Sequence, residues 1–156
     1  MREKFYFDID VVSKQEFNPW PHSPTYKAYR LIKPNSRVLD IGCAYGYMAR
    51  ELKKKGCEVI GIELDSKACE KAKDYCVHVI NADIETLRSL PFSSGFFDYI
   101  LCLDCLEHLN RPDLVLNNLH LYLSSTGRLI VSVPNIARFE YRLKLLLGNF
   151  AFSDTG

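Results

Sequence analysis

No stretch of the sequence approaches the roughly 18 consecutive apolar residues that a membrane-spanning helix needs. The run Leu143-Lys144-Leu145-Leu146-Leu147 is too short and carries a charge. Neither sign of charge dominates, because 20 Lys and Arg face 19 Asp and Glu for a net charge of +1. That balance supplies no bulk attraction to phosphates, so no nucleic-acid partner is expected. Internal repeats and low-complexity tracts are absent. The start, Met1-Arg2-Glu3-Lys4, lacks the apolar stretch of a secretory signal. The 6 cysteines fall mostly inside apolar periodic segments, where free cysteine behaves as a small hydrophobe. The expectation is a reduced, cytoplasmic chain without a membrane span, not a disulfide scaffold.

What is present is ordinary globular composition: 156 residues, 47% hydrophobic and 25% charged. One domain over 1–156 is expected. Residues 1–22 are aromatic and proline-interrupted and read as an irregular arm. Residues 23–148 form the core, and 149–156 read as a tail. In the core, Ser23-Pro24 opens a helix that Pro34-Asn35-Ser36 stops. Strand and helix patterns then alternate. Strands are expected at Arg37 to Ile41, Glu58 to Ile62, Val77 to Ile80, Tyr99 to Leu103 and Arg128 to Val133. Helices are expected from the Gly42 to Gly46 turn to about Lys55, after Asp65 or Ser66, at Pro112 to Leu123, and at about Ala137 to Leu147. Ser124-Ser125-Thr126-Gly127 reads as a turn. The strands are apolar almost throughout rather than alternating, which indicates burial on both faces. The fold class is therefore α/β: a three-layer, doubly wound, Rossmann-like and mostly parallel sheet of about five strands. Such sheets bind ligands at the carboxyl ends of their strands, where the strand order reverses.

Four strand ends carry candidate chemistry. Asp40-Ile41-Gly42-Cys43-Ala44-Tyr45-Gly46 ends a strand in an acid and continues with small residues at every second position, so a ligand can approach the backbone. Alone, it also fits a plain tight turn. Glu63 stands 21 residues after Gly42, where a carboxylate can accept the two hydroxyls of a ribose. Leu64 beside it would cover one face of an adenine. Asp83 follows the third strand and would accept the adenine amine, with Ile84 packed on the ring; a simple turn-capping aspartate is the plainer alternative. The fourth strand end runs from Phe97-Asp98-Tyr99-Ile100 through Leu103 to Leu106-Glu107-His108-Leu109.

Together these residues resemble the class I S-adenosylmethionine-dependent methyltransferases, in their small-molecule branch. Asp40 to Gly46 is similar to the glycine-rich first motif, Glu63 to the ribose acid and Asp83 to the adenine-contacting acid. Phe97 to Ile100 with Leu106 to Leu109 is similar to the strand-four signature, and Gly127 to Val131 to the strand-five motif. The resemblance covers about residues 24 to 140. It implies S-adenosylmethionine as cofactor, S-adenosylhomocysteine as product, and a small-molecule acceptor. It also implies that Asp40, Gly42, Ala44, Gly46 and Leu103 surround the methionyl end, with Cys43 among the cofactor-binding residues. The sequence departs from the pattern twice. Ala44 replaces the middle glycine. The closing strand pair of the seven-strand family fold has no residues left to make it, so a truncated chain is expected, with a homodimer across the open fifth strand or beneath the last helix.

His108 is the candidate general base, against a structural histidine in a helical turn. Cys102 and Cys105 with His108 fall short of the four ligands a structural zinc needs, so no metal is expected. Lys53-Lys54-Lys55 reads as a solvated helix end. The N-terminal aromatics Tyr6 and Trp20 are candidates for a lid or for plain core cover. Two alternatives to a methyltransferase stay open. One is a non-catalytic cofactor-binding or assembly module. The other is an NAD-binding oxidoreductase domain, which fits worse because Tyr47 falls at the third glycine position of the dinucleotide pattern.

Overall fold

The computed structural model describes residues 23–134 and Leu146. The expected arm, the expected last helix and tail, and the lid candidates Tyr6 and Trp20 lie outside the described residues.

Ser23 has extended backbone angles, and its hydroxyl accepts from the Tyr26 N–H at 3.1 Å. This cap with Pro24 starts α1 (Pro24–Leu31) as the sequence implies. The chain then runs β1 (Arg37–Ile41), α2 (Tyr47–Lys53), β2 (Glu58–Glu63), α3 (Ser66–Ala72), β3 (His78–Asn81), β4 (Phe97–Leu103), a 3₁₀ turn (Leu106–His108), α4 (Pro112–His120) and β5 (Leu123–Ser132). All pairings are parallel, in the order β3-β2-β1-β4-β5. This is the doubly wound sheet the apolar runs imply.

Alternation along each central strand assigns residues to two apolar layers. Val38, Val59, Tyr99 and Leu101 meet Ala28 and Ile32 of the α1 region and Met48, Ala49 and Leu52 of α2. Leu39, Ile41, Ile60, Ile62, Ile100 and Cys102 meet Val115 and Leu119 of α4. β1, β2 and β4 are thus covered on both faces, while β3 and β5 are only partly buried. Among the described residues β5 pairs with β4 alone, and its Leu129 and Val131 are exposed.

Three sequence expectations shift. The helix read over Pro112 to Leu123 ends at His120. The Ser124 to Gly127 turn is absorbed into β5: Leu123 pairs with Phe97 and Arg128 with Tyr99, so the extra residues bulge out of the ladder. Gly127 permits this, because a Cβ there would stand 2.8 Å from the Leu123 side chain folded over it. The third strand lies one residue later than read, at His78–Asn81.

Gly61 has a similar packing role at the centre of β2. A Cβ there would lie 2.5 Å from Cys43 Sγ and 3.4 Å from Cys76 Sγ. Gly61→Ala is therefore expected to destabilise the fold by about 1–3 kcal/mol, because the buried Cys43 side chain must shift. A thermal midpoint equal to that of the parent protein would overturn this reading.

Candidate active site

The chain winds β1 to β2 to β3 in one direction and then returns to place β4 on the other side of β1. The strand order therefore reverses between β1 and β4, and the crevice belongs at their carboxyl ends. The segment after β1 bends sharply there. Gly42, Ala44 and Gly46 have φ of 70°, 47° and 79°, all left-handed. Two of these positions are glycines, which adopt such a bend at little cost. The third is alanine, and it is held from outside: Ala44 N–H donates to Glu63 Oε2 at 2.9 Å. The N–H groups of Gly42 and Cys43 both donate to the Ile62 carbonyl, at 2.8 and 3.2 Å. The bend is thus fastened to the end of β2. On its far side it meets the turn after β4, where Cys105 Cβ would be 3.4 Å from a Cβ on Gly42.

Asp40 is 4% exposed, and among the described residues no hydrogen bond reaches its carboxylate. Burial first, and the nearby Glu63 charge second, push its pKa up to about 7. Glu63 has both oxygens engaged: Oε2 by Ala44 and Oε1 by the Asp65 N–H at 2.9 Å. Each oxygen keeps a further lone pair for a ligand hydroxyl. Leu64 is 65% exposed next to it, an apolar surface open to a ligand.

Asp83 lies just beyond β3, and Ala82 N–H donates to the Glu63 carbonyl at 3.0 Å. Its Oδ1 accepts from the Glu85 N–H at 2.9 Å, so the turn-capping function read as the plainer alternative is present. Ile84 packs against the α4-side apolar layer. Leu103 ends β4 and packs against the opposite, α1 and α2 layer. His108 is exposed in the 3₁₀ turn, its N–H donating to the Cys105 carbonyl at 3.1 Å. Cys102 is fully buried, and the Cys105 thiol pairs with it, which with burial pushes the Cys105 pKa up. Cys43 is likewise raised by its bond with Cys76 and by burial. A raised pKa disfavours the thiolate at both positions.

Asp40, Glu63 and the Gly42–Gly46 bend thus share one rim with the turn after β4, and Asp83 stands next to it beyond β2. A small cavity lined by Ile84, Leu87, Leu90, Val115, Leu119 and Tyr122 lies in the α4-side layer and includes none of these carboxylates. Two contributors carried no sequence signal. Asn81 donates through Nδ2 to the carbonyls of Glu63 and Leu64, both at 2.9 Å, and fixes the turn that presents Glu63. Tyr45, between Ala44 and Gly46, has its pKa raised by partial burial and then by the charges of Asp65 and Glu63. Its ring therefore stands near the same carboxylates. Neither follows a spacing rule, because both act across strands.

A buried acid at the switch point, a second acid one strand over and a tight bend between them stand together at the carboxyl edge of a doubly wound domain. A family model described as a methyltransferase domain matches residues 16–153. The chain belongs to the class I S-adenosylmethionine-dependent methyltransferases. It is 26% identical over 126 residues to a ubiquinone biosynthesis O-methyltransferase of Coxiella burnetii, covering 79% of this chain and 53% of that protein. A solved structure from Pyrococcus horikoshii superposes with a TM-score of 0.61 at 26% identity, covering 78% of this chain and 58% of that one. A second, titled as an S-adenosylmethionine-dependent methyltransferase of Mesorhizobium loti, gives 0.61 at 24% identity, covering 72% and 54%. The chain spans about half the length of the curated relatives it matches. No helix among the described residues is long and apolar enough to cross a membrane.

Proposed function

We propose that this domain binds S-adenosylmethionine at the β1–β4 switch point and transfers its methyl group to a small-molecule acceptor. The observation that carries the reading is the buried carboxyl of Asp40, to which no described residue donates, beneath a left-handed bend whose far end is tied to Glu63. A cationic methionyl end would supply the opposite charge that the buried Asp40 carboxylate needs. Gly42, Cys43, Ala44 and Gly46 would bring backbone close to it, with Leu103 opposite. Glu63 would accept the ribose hydroxyls, and Asp83, Leu64 and Ile84 would hold the adenine. When bound, the cofactor supplies a methyl group already activated on a sulfonium. The chain's own residues therefore position two reactants in line and exclude water. His108 is our candidate for taking a proton from an acceptor that must lose one. We also infer a reducing, cytoplasmic setting from cysteines packed as core groups, and a homodimer along the apolar edge of β5. A monomer by light scattering would overturn the dimer.

Calorimetry with S-adenosylhomocysteine tests the cofactor, and saturable binding is expected. No binding would overturn the reading and favour the NAD alternative. A labelled methyl donor offered with hydroxyl-bearing small molecules, suggested by the O-methyltransferase relative, tests transfer. Label incorporation that falls at least about tenfold in His108→Gln would identify the base. Unchanged turnover would remove His108 from the mechanism. Binding without any transfer would instead favour a non-catalytic module.

A further inference from the structure

The segment joining β4 to α4 would form the acceptor side of the crevice, yet it has little structure of its own. Between Asp104 and Arg111 it contains one 3₁₀ turn, Leu106–His108. Its first end is fastened to β5. Asp104 N–H donates to the Ser132 carbonyl at 3.1 Å, and Ser132 Oγ donates to Asp104 Oδ1 at 2.7 Å. This pairing holds Asp104 at φ 49°, a left-handed conformation unfavourable for a residue with a Cβ.

At the other end the Arg111 guanidinium pairs with Asp113 two residues on, at 3.1 and 2.9 Å, but the backbone N–H groups that enter the helix find their partner elsewhere. Arg111 is the residue before α4, and no side chain of its own segment caps that helix start. The partner comes from a different loop, 25 residues before Asn110 in the chain. Glu85 Oε1 accepts the N–H groups of Asn110 and Arg111, each at 2.8 Å, and Oε2 accepts Asn110 Nδ2 at 2.8 Å. Three short hydrogen bonds to one carboxylate are stronger than neutral ones and fix both oxygens. Glu85 is itself set by the turn at Asp83. Its N–H donates to Asp83 Oδ1 at 2.9 Å, and the Thr86 N–H and hydroxyl both bond the Asp83 carbonyl, at 3.0 and 2.9 Å.

We propose that Glu85 is a positioning residue that fastens the acceptor-side segment 104–111 to the adenine-side turn 83–86, linking the two halves of the crevice. The inference rests on the cofactor reading for its functional meaning, since that reading makes one turn the adenine side and the other the acceptor side. Glu85 touches neither reactant in this scheme. It sets where the segment carrying His108 stands relative to the bend at Gly42, and ligand occupancy at the Asp83 turn is thereby felt at Asn110 and Arg111.

Amide hydrogen exchange of the whole chain, resolved by residue, tests this without any acceptor. In the parent protein the amides of Asn110 and Arg111 should be protected, and S-adenosylhomocysteine should slow them further. Glu85→Ala should speed both by about tenfold or more and abolish the ligand effect, while central amides of β1 and β4 change little. Glu85→Gln retains an acceptor oxygen and should restore most of the protection. Asn110→Ala deletes one of the three bonds and should shift the Arg111 amide in the same direction by less, which serves if Glu85→Ala fails to fold. Unchanged exchange at 110 and 111 in Glu85→Ala would overturn the proposal. So would an equal acceleration of the whole sheet with no rescue by glutamine, which would reduce Glu85 to a general stability residue. If the parent protein binds no S-adenosylhomocysteine, the cofactor reading fails on its own, and the ligand-free exchange comparison still decides whether Glu85 fastens the two loops.

Discussion

Replacing Glu63 with alanine should weaken S-adenosylhomocysteine binding by about 10- to 100-fold, or roughly 1–3 kcal/mol, because an ionised acceptor is removed from two ligand hydroxyls. The structure adds a second route to the same loss. Glu63 holds the Ala44 N–H at 2.9 Å while Ala44 sits at φ 47°. A residue with a Cβ pays on the order of 1 kcal/mol for that conformation, and the carboxylate offsets it. Its other oxygen fixes the Asp65 N–H at 2.9 Å, at the N-cap of α3. Without Glu63 the bend is free to relax out of the shape that lets a ligand approach the backbone. Glu63→Gln keeps one acceptor and should fall between the two. Adding Ala44→Gly to Glu63→Ala separates the routes: glycine removes the cost of the left-handed backbone but cannot restore the hydroxyl contacts. Calorimetry on the four proteins reads all of this. A dissociation constant for Glu63→Ala within about twofold of the parent would refute the ribose assignment, since even one lost hydrogen bond to a charged group exceeds that.

The sheet was legible because its central strands are buried twice. Residues such as Val38-Leu39 and Ile100-Leu101 face opposite layers, and neither layer meets water, so the runs are apolar without alternation. The acids at the strand ends were legible by order and spacing, since Asp40 and Glu63 end neighbouring parallel strands and must share a rim. Features that depend on contacts across the chain were not legible. Ser124 to Gly127 has turn composition, but the Leu123–Phe97 pairing draws it into a bulged strand. Glu85 looks like any loop acid until Asn110 and Arg111 are brought to it. At Asp83 the plainer of the two readings is the one observed, because one oxygen caps its own turn. A carboxylate has more acceptor positions than a single local bond uses.

Asp40→Asn is expected to raise stability at pH 8 while lowering affinity for the cofactor. The sign follows from the direction of the shift. Burial and the Glu63 charge raise the Asp40 pKa from 3.8 to about 7, so the fold favours the protonated carboxyl. Below pH 3.8 the folded and unfolded chains both hold this proton, and the group costs nothing. Between that value and pH 7 the unfolded chain releases its proton first, and stability falls as pH rises. Above pH 7 the cost is complete, on the order of 4 kcal/mol at 1.36 kcal/mol per pKa unit. Asparagine cannot ionise and should recover up to that amount at pH 8 and almost none near pH 4, which denaturant unfolding at the two pH values would read. Binding should run the other way. A cationic ligand end favours ionised Asp40, so affinity of the parent protein should increase as pH rises through about 7, and Asp40→Asn should lose both the affinity and its pH dependence. The two measurements constrain one another. If asparagine stabilises the fold and leaves binding untouched, Asp40 is a buried acid with no ligand function. If it weakens binding without stabilising at high pH, the carboxyl already has a compensating partner in the free protein. Only the opposed pair of results fits a residue kept in an unfavourable setting for the charge it will meet.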